Sequence, residues 1–562
     1  MDFSKYISDK AQAIASEFDT LPRQYTADNI QMSEIMIPAR DGIGLKTYIF
    51  YPNSLSGSLL PVLLQRSCYP HDMPVYKVCG REFAQRGYIY VISFSRGVGG
   101  SEGVWEPNVN ERNDGIDTVN WLAKQPWCES IGFFGASYLA LTGWAIIDAV
   151  PEKVKGMYLS VYGTNRFVSA YKDGLFRQDI LTAWAMGNAG NTQGPITADR
   201  LLSFKYRPQI HVDTDLWGTE LPWYRELITH PDFSDSYWQE GFWSILRNNP
   251  SKVKIPVVIE EGWYDHHLGS ALSGYNEMEE SVKKHCLLRI GAWKHGMEPA
   301  LSGHLCQHLD NASILPVFYW FEQLLKKKEA PKHGVSLYVI GRDQWLAQEE
   351  WPKSNDCLKL YLDAKKYVLA TETADTGHTE FIYDPDNPLP SHGAESCFSS
   401  SEAIGSLKQP EMNYREDVIS FLSEPFTKDT LIVGQINADL YVSSDARDTS
   451  FSLKVMEVFE DGSAYNIRSG ITTLAYREHS ANRQDYVPDT VVKINIDTWD
   501  IAWEIKKGSR IRLDVSSSDF PQYSIHTNTP GIWSLQTKAK KARQTIYSGG
   551  KTPSVLNIPI IN

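Results

Sequence analysis

The stretch Ile131-Gly-Phe-Phe-Gly-Ala-Ser-Tyr-Leu-Ala-Leu-Thr-Gly-Trp144 leaves the chain few local choices. It reads as a short apolar strand, a sharp turn carrying Ser137, and an apolar helix. A serine at the tip of such a strand-to-helix turn has its hydroxyl lifted clear of the sheet, where another molecule can reach it. A Gly-x-Ser triplet alone is common, and an ordinary turn serine is the plain alternative, so the rest of the chain has to decide.

The flanking segments repeat a strand-helix alternation. Pro61-Val-Leu-Leu-Gln65 and Tyr88-Ile-Tyr-Val-Ile-Ser93 are short, nearly continuous apolar runs, as expected of strands buried on both faces of a parallel sheet. A helix over 77–87 between them makes a right-handed strand-helix-strand unit. Ahead of these, residues 35–50 alternate about Asp41-Gly42, a hairpin signal, and residues 1–30 read as a leader helix. Asn113 to Gln125 has Ile116, Val119 and Leu122 at helical spacing, with Pro126 as a stop.

Alternation lapses after Val154-Lys-Gly-Met-Tyr-Leu-Ser-Val161, resumes at Ile255-Pro-Val-Val-Ile-Glu260 and Cys286-Leu-Leu-Arg-Ile290, and closes with an amphipathic helix from Leu315 to Lys328. Past residue 335, short β-rich runs such as Leu358–Leu362, Asp439–Val442, Val491–Asn495 and Arg510–Val515 are separated by turn clusters, a sandwich pattern. At 562 residues the chain is too long for one core. The expected division is an α/β domain in two parts, 1–165 and 251–334, a helical cap inserted at 166–250, and a C-terminal β domain at 335–562.

On this plan two further groups reach the sheet edge that carries Ser137. Asp265 ends Glu261-Gly-Trp-Tyr-Asp265, directly after one late strand, and His295 lies in Gly291-Ala-Trp-Lys-His-Gly296, directly after the next. Ligands bind at the carboxyl ends of strands in open α/β sheets. A serine hydroxyl is a weak nucleophile near neutral pH. A histidine can take its proton and return it to a leaving group, and an aspartate can orient that histidine and stabilise its charge. A capping aspartate and a surface histidine are the bland readings of either residue alone. The order serine, acid, histidine, each after an expected strand, favours the chemical reading.

These residues carry a resemblance. Gly135-Ala-Ser-Tyr138, Gly262-Trp-Tyr-Asp265, Trp293-Lys-His-Gly296, Arg96-Gly97 with Ser101-Glu-Gly103, and Asn113-Asp-Gly115 with Trp121 to Trp127 resemble the cocaine esterase and X-Pro dipeptidyl-peptidase family of serine hydrolases. Tyr383-Asp-Pro385, Arg415 to Val418, Ser443 to Asp448, Glu460-Asp-Gly462 and Gly508 to Leu513 match its C-terminal domain. The resemblance implies an α/β-hydrolase core, a helical cap and a jelly-roll-like β-sandwich. It also implies catalytic Ser137, Asp265 and His295, with an oxyanion hole formed by the Tyr69 hydroxyl and the Tyr138 backbone N–H. The expected activity is cleavage of an ester or amide acyl bond through an acyl-enzyme, a carboxylesterase first, with X-Pro dipeptidyl-peptidase or amino-acyl ester and amide hydrolysis as alternatives.

The chain departs from the family at several points. Ala140 stands for a usual glycine, and Phe94 for a frequent aspartate, which predicts that Arg96 lacks a local ion pair. His267 and Leu268 stand where the amino-acid ester hydrolase branch has acidic residues that bind an amine, and the long N-terminal helical domain of true X-Pro dipeptidyl-peptidases is missing. Both weaken the expectation of a free amine on the substrate. Trp184 and Tyr206 are candidates for the pocket wall.

Composition limits the partners. A net charge of -13, with no basic run, disfavours nucleic acid and anionic membranes, and no stretch approaches the length of a membrane span. The charged start lacks the core of a signal peptide, and seven scattered cysteines without a C-x-x-C pair speak against a disulfide framework or zinc site. A cytoplasmic enzyme without cofactor or metal, acting on a small-molecule or short-peptide acyl substrate, is the expectation, with a homo-oligomer left open. A metal-dependent hydrolase using His304 and His308 lacks the glutamate that such a motif needs as base, and a non-catalytic binding protein is the remaining alternative.

Overall fold

The computed structural model describes residues 3–53, 59–188, 196–301, 305, 308–309, 313–393, 395 and 403–561. The leader segment forms a helix, Phe3–Phe18, laid against the helix Met73–Gln85, with the Phe18 and Phe83 rings edge to face at 5.3 Å. That second helix starts earlier than the expected 77, because Pro74 is accommodated in its first turn, where no N–H is needed.

One sheet organises the first half of the chain. Its strands, in chain order, are β1 (Ile30–Pro38), β2 (Gly44–Pro52), β3 (Leu60–Ser67), β4 (Ile89–Phe94), β5 (Cys128–Ala136) and β6 (Val154–Ser160). After a two-residue-strand hairpin in the cap, β7 (Tyr171–Lys172) and β8 (Leu175–Phe176), come β9 (Val257–Tyr264), β10 (Leu287–Lys294), β11 (Gly334–Val339) and β12 (Gln344–Gln348). The spatial order is β1-β2-β4-β3-β5-β6-β9-β10-β11-β12. From β4 to β11 every pairing is parallel, while β1, β2 and β12 are antiparallel additions. The strands β3 to β6, β9 and β10 are almost wholly buried, which is why they read as continuous apolar runs.

The change of architecture expected at residue 335 falls elsewhere. β11 pairs with β10 from Leu287↔Gly334 onward, and β12 returns beside β11, so the α/β sheet continues to Gln348. The sequence break misleads because a strand closing one sheet and a strand opening the next carry the same short β-rich pattern. The helix at Leu315–Phe321 continues as a π-helix over Glu322–Lys327 and ends at Lys328 in a left-handed conformation.

Residues 166–250 form short helices, among them Arg166–Ala170, Gln178–Asn188, Pro222–Thr229 and Gly241–Asn248, around a small core that includes Ile180, Tyr224 and Trp238. From Asp356 the chain builds an eleven-stranded β assembly. Among the described residues its strands pair antiparallel except where Val368–Ala370 runs beside Ile419–Ser423. This is the C-terminal, jelly-roll-like β domain, and the fold class is that of an α/β-hydrolase carrying a cap and a β domain. Among the described residues, no helix is long and apolar enough to cross a membrane.

The cap and the β domain are fastened together by charge. Arg177 meets Glu395 at 2.9 Å, both buried, and its guanidinium lies 4.0 Å from the centroid of the Trp499 ring. Lys172 and Asp497 form a second pair. His479 bonds Asp173 through Nδ1 at 3.1 Å and Asn495 through Nε2 at 2.9 Å. The bond to Asp173 raises the His479 pKa above the ordinary histidine value. Its stabilisation is therefore fully present below the unfolded value and is lost as pH rises through the raised folded value. His479→Gln is expected to lower the thermal midpoint more near pH ~5.5 than near pH ~8.5. Equal losses at the two pH values, measured by calorimetric or fluorescence melts, would show that the charge plays no part.

Candidate active site

Ser137 follows β5 directly and takes φ 56°, ψ -126°, a conformation that L side chains rarely adopt. The turn is held on three sides. Ser137 N–H donates to the Ser160 carbonyl on β6 at 2.9 Å, and the helix Tyr138–Trp144 starts at once. At Gly135 a Cβ would lie 2.6 Å from the Leu139 carbonyl carbon, so the strand can approach its own following helix only with glycine there. Ala140 is fully buried, and its extra methyl is absorbed in the core.

Asp265 follows β9 and His295 follows β10, and the two strand ends lie side by side, with Tyr264 opposite Lys294 across a register shift. Gly262 permits this, since a Cβ there would meet the Trp293 carbonyl oxygen at 2.3 Å. His295 Nδ1 lies 2.5 Å from Asp265 Oδ2, and His295 Nε2 lies 3.0 Å from Ser137 Oγ. The other Asp265 oxygen accepts from the His267 N–H at 2.6 Å, so the fully buried carboxylate is satisfied on both sides. Ser137 is half-buried, and His295 keeps part of its surface open.

Below the serine sits a buried chain of polar contacts. Arg66 donates to Glu111 at 2.9 Å, and Glu111 accepts from the Tyr138 hydroxyl at 3.0 Å. The same hydroxyl accepts from the Asn108 N–H at 2.9 Å. Tyr138 is thereby pinned by its side chain. Its own N–H belongs to the first turn of a helix, where N–H groups have no partner within the helix.

Tyr69, just past the end of β3, packs its ring edge to face against Tyr138 at 6.1 Å. Trp184 of the cap donates its Nε1–H to the Tyr69 hydroxyl at 3.1 Å and stacks on Tyr138 with an interplanar angle of 10°. Burial pushes the Tyr69 phenol above its ordinary pKa, so it keeps its proton. Its oxygen accepts from Trp184, and the phenol keeps its own proton as a donor. Sequence reasoning placed Trp184 only as a wall; its role in orienting Tyr69 had no local signal, since the two are far apart in the chain. Tyr206 bonds instead to Asp215.

Other groups near the site were named in the sequence without a role in it. His266 and His267 are buried beside His295, with ring centroids 4.7 and 5.8 Å from it, and burial lowers both pKa values so that they stay neutral. Glu261 is buried next to Asp265 with neither carboxyl oxygen in bonding geometry to a donor, and burial pushes its pKa well up. The neighbouring Asp265 carboxylate adds to that upward shift. Arg96, expected to lack a local ion pair, pairs with Asp114 and Asp41 at 2.7 Å each; other elements supply the carboxylates, while Phe94 is buried against Tyr48 and Tyr76.

Asp265, His266 and His295 lie close enough to ligate a cation, as do Asp173, His479 and Asp497. In the first group, however, both His295 nitrogens already face Asp265 and Ser137. Of the histidines considered for a metal, His266 and His267 are buried beside His295, His304 lies outside the described residues and His308 pairs with Asp343.

Comparison with known proteins agrees with this architecture. Residues 41–297 match the family model described as X-Pro dipeptidyl-peptidase (S15 family), and residues 329–557 match the X-Pro dipeptidyl-peptidase C-terminal non-catalytic domain. Cocaine esterase from a Rhodococcus species is 27% identical over 94% of this chain and 98% of its own. A solved aminopeptidase from the marine sediment archaeon Thaumarchaeota archaeon superposes with a TM-score of 0.79 at 22% identity, covering 96% of this chain and 99% of that one. A solved α-amino acid ester hydrolase does so with the same score and identity over 97% and 99%.

The strained turn gives a direct expectation. Gly135→Ala should destabilise the protein by roughly 1–3 kcal/mol, the range for overpacking a close backbone approach. A denaturation midpoint equal to wild type would show that the turn can relax.

Proposed function

The chain belongs to the cocaine esterase and X-Pro dipeptidyl-peptidase (S15) family of serine hydrolases, and from that membership we propose that it cleaves an ester or amide acyl bond through Ser137, His295 and Asp265. The observation that carries the reading is the hydrogen-bonded series Asp265–His295–Ser137, at 2.5 and 3.0 Å. Ser137 Oγ attacks the acyl carbon while His295 Nε2 takes the hydroxyl proton, and Asp265 stabilises the imidazolium that forms. His295 returns the proton to the leaving alcohol or amine as the acyl-enzyme forms. Water, deprotonated by the same nitrogen, then attacks the acyl carbon and frees Ser137 with its proton restored.

The Tyr69 hydroxyl and the Tyr138 N–H serve the oxyanion, each donor contributing roughly 3–4 kcal/mol in such sites. The backbone donor is supported by the position of Tyr138 at the helix start, and the side-chain donor by the Trp184 bond that orients Tyr69. The proposed chemistry draws on protein groups alone, with the cap at 166–250 closing over a small-molecule or short-peptide acyl substrate. An ester is favoured over an X-Pro amide because cocaine esterase, at 27% identity over 94% of this chain, is an esterase. The solved aminopeptidase and amino acid ester hydrolase, at 22% identity, speak for the fold alone.

A fluorophosphonate probe should label wild type and leave Ser137→Ala unlabelled, with turnover of a p-nitrophenyl ester falling by at least ~10³-fold in the variant. Equal labelling of the two would overturn the reading. Turnover of a dipeptidyl-proline anilide above that of the ester would replace the esterase preference with the peptidase alternative. Trp184→Phe keeps the ring that stacks on Tyr138 but removes the donor to Tyr69. It is expected to lower kcat about ten-fold while leaving KM little changed, as loss of a transition-state interaction does. A rise in KM alone would assign Trp184 to the pocket wall only.

A further inference from the structure

Between the cap and residues 106–109 is a cavity of about 140 Å³, many times the roughly 10–15 Å³ that one water takes. Its wall is largely aromatic, with Trp184, Trp223, Tyr237, Phe242 and Trp243. Two links tie it to the reacting groups. Trp184 belongs to the wall and also donates to Tyr69. Arg166, also in the wall, is close enough to Tyr162 for its charge to oppose the burial that raises that phenol's pKa, and the Tyr162 ring lies 4.3 Å from that of His267 in the histidine cluster around His295.

Among the described residues, Arg166 is the only cation lining this cavity. It is half-buried, its Nε has no hydrogen-bond partner, and among the described residues no carboxylate lies within ion-pair distance of it. Its other neighbour is the face of Trp243, 5.9 Å away. The rim carboxylates differ. Glu106 and Glu226 are both exposed, where solvent screens their field, and Glu226 is engaged by His230 at 3.1 Å. A guanidinium partly withdrawn from water without a counter-charge is costly, and an anion brought to it recovers that cost through charge-assisted hydrogen bonds.

We infer that Arg166 is a specificity residue that receives a carboxylate, so that the substrate is an ester or amide bearing an aromatic or other apolar body and a free carboxylate. This rests on the hydrolase reading above only for the cleavage step; the recognition of the anion stands on the cavity itself. Arg166 does not touch the scissile bond in this scheme. It holds the far end of the substrate while the aromatic wall takes up the body.

Binding and turnover test it separately. Calorimetric titration of wild type with 3-phenylpropanoate, 3-phenylpropan-1-ol and 3-phenylpropylamine should show the carboxylate binding at least about ten-fold more tightly than the alcohol, and the amine no better than the alcohol. Arg166→Met should abolish that advantage and Arg166→Lys keep part of it, since an ammonium preserves the charge but not the bidentate fork. In turnover, the kcat/KM ratio of mono-p-nitrophenyl glutarate to p-nitrophenyl pentanoate should fall about ten-fold in Arg166→Met. Tightest binding by the amine would transfer recognition to Glu106 and Glu226 and overturn the inference, as would equal binding of acid and alcohol to wild type. Carboxylate binding through Arg166 without turnover of either ester would leave the inference standing and remove the hydrolase reading. Turnover of both esters with an unchanged ratio in Arg166→Met would do the reverse.

Discussion

Ser137 sits in a backbone conformation that costs of order 1–3 kcal/mol, and much of the surrounding structure is arranged to hold it there. The Ser160 carbonyl fixes its N–H, and Gly135 lets the strand touch the helix that follows. Arg66, Glu111 and the Tyr138 hydroxyl form a buried chain beneath it. None of these groups is a reacting one in the proposed chemistry, yet each restricts where the serine hydroxyl can be. A buried Arg–Glu pair is a poor source of net stability, because desolvation offsets the attraction. Its value here is positional, since it gives Tyr138 one place to put its hydroxyl.

The late strands depend on contacts from outside their own sheet. The helix Leu268–Glu277, which starts directly after the Asp265–His267 turn, presses Gly269 against the Trp499 ring of the β domain. Tyr264 donates to the Ile467 carbonyl at 3.4 Å and carries Arg468 over its ring. Within the sheet, Trp263 donates to the Tyr338 carbonyl at 2.8 Å, reaching past β10 to β11. The acid is thus held between the sheet that carries it and a domain beginning nearly a hundred residues later in the chain. The cap closes the arrangement through Arg177, which joins Glu395 and lies over Trp499.

The electrostatics around His295 follow from this enclosure. Two further histidines within 6 Å stay neutral because burial penalises their charged forms, and Glu261 stays protonated for the same reason. The groups flanking the Asp265–His295 pair are thereby kept neutral. Low dielectric makes that pairing stronger than it would be in water, and it also makes the unpaired Arg166 in the adjoining cavity conspicuous.

The sequence by itself determined the elements that are local. Strand-turn-helix at Ile131–Trp144, the apolar runs of β3, β4, β9 and β10, and the order Ser137, Asp265, His295 all follow from short patterns, because burial on both faces demands unbroken apolar strands. Motif resemblance added Tyr69 and Tyr138 for the same reason, each lying next to a strand end. Only the tertiary structure decided the rest. Trp184 reaches Tyr69 across 115 residues, Arg96 finds its carboxylates on two other segments, and the α/β sheet takes β11 and β12 from what looked like the next domain. Such contacts leave no mark in the sequence around either partner. They are set by which surfaces the folded chain brings within a few ångströms of each other, and a pattern of period two or 3.6 carries no information about that.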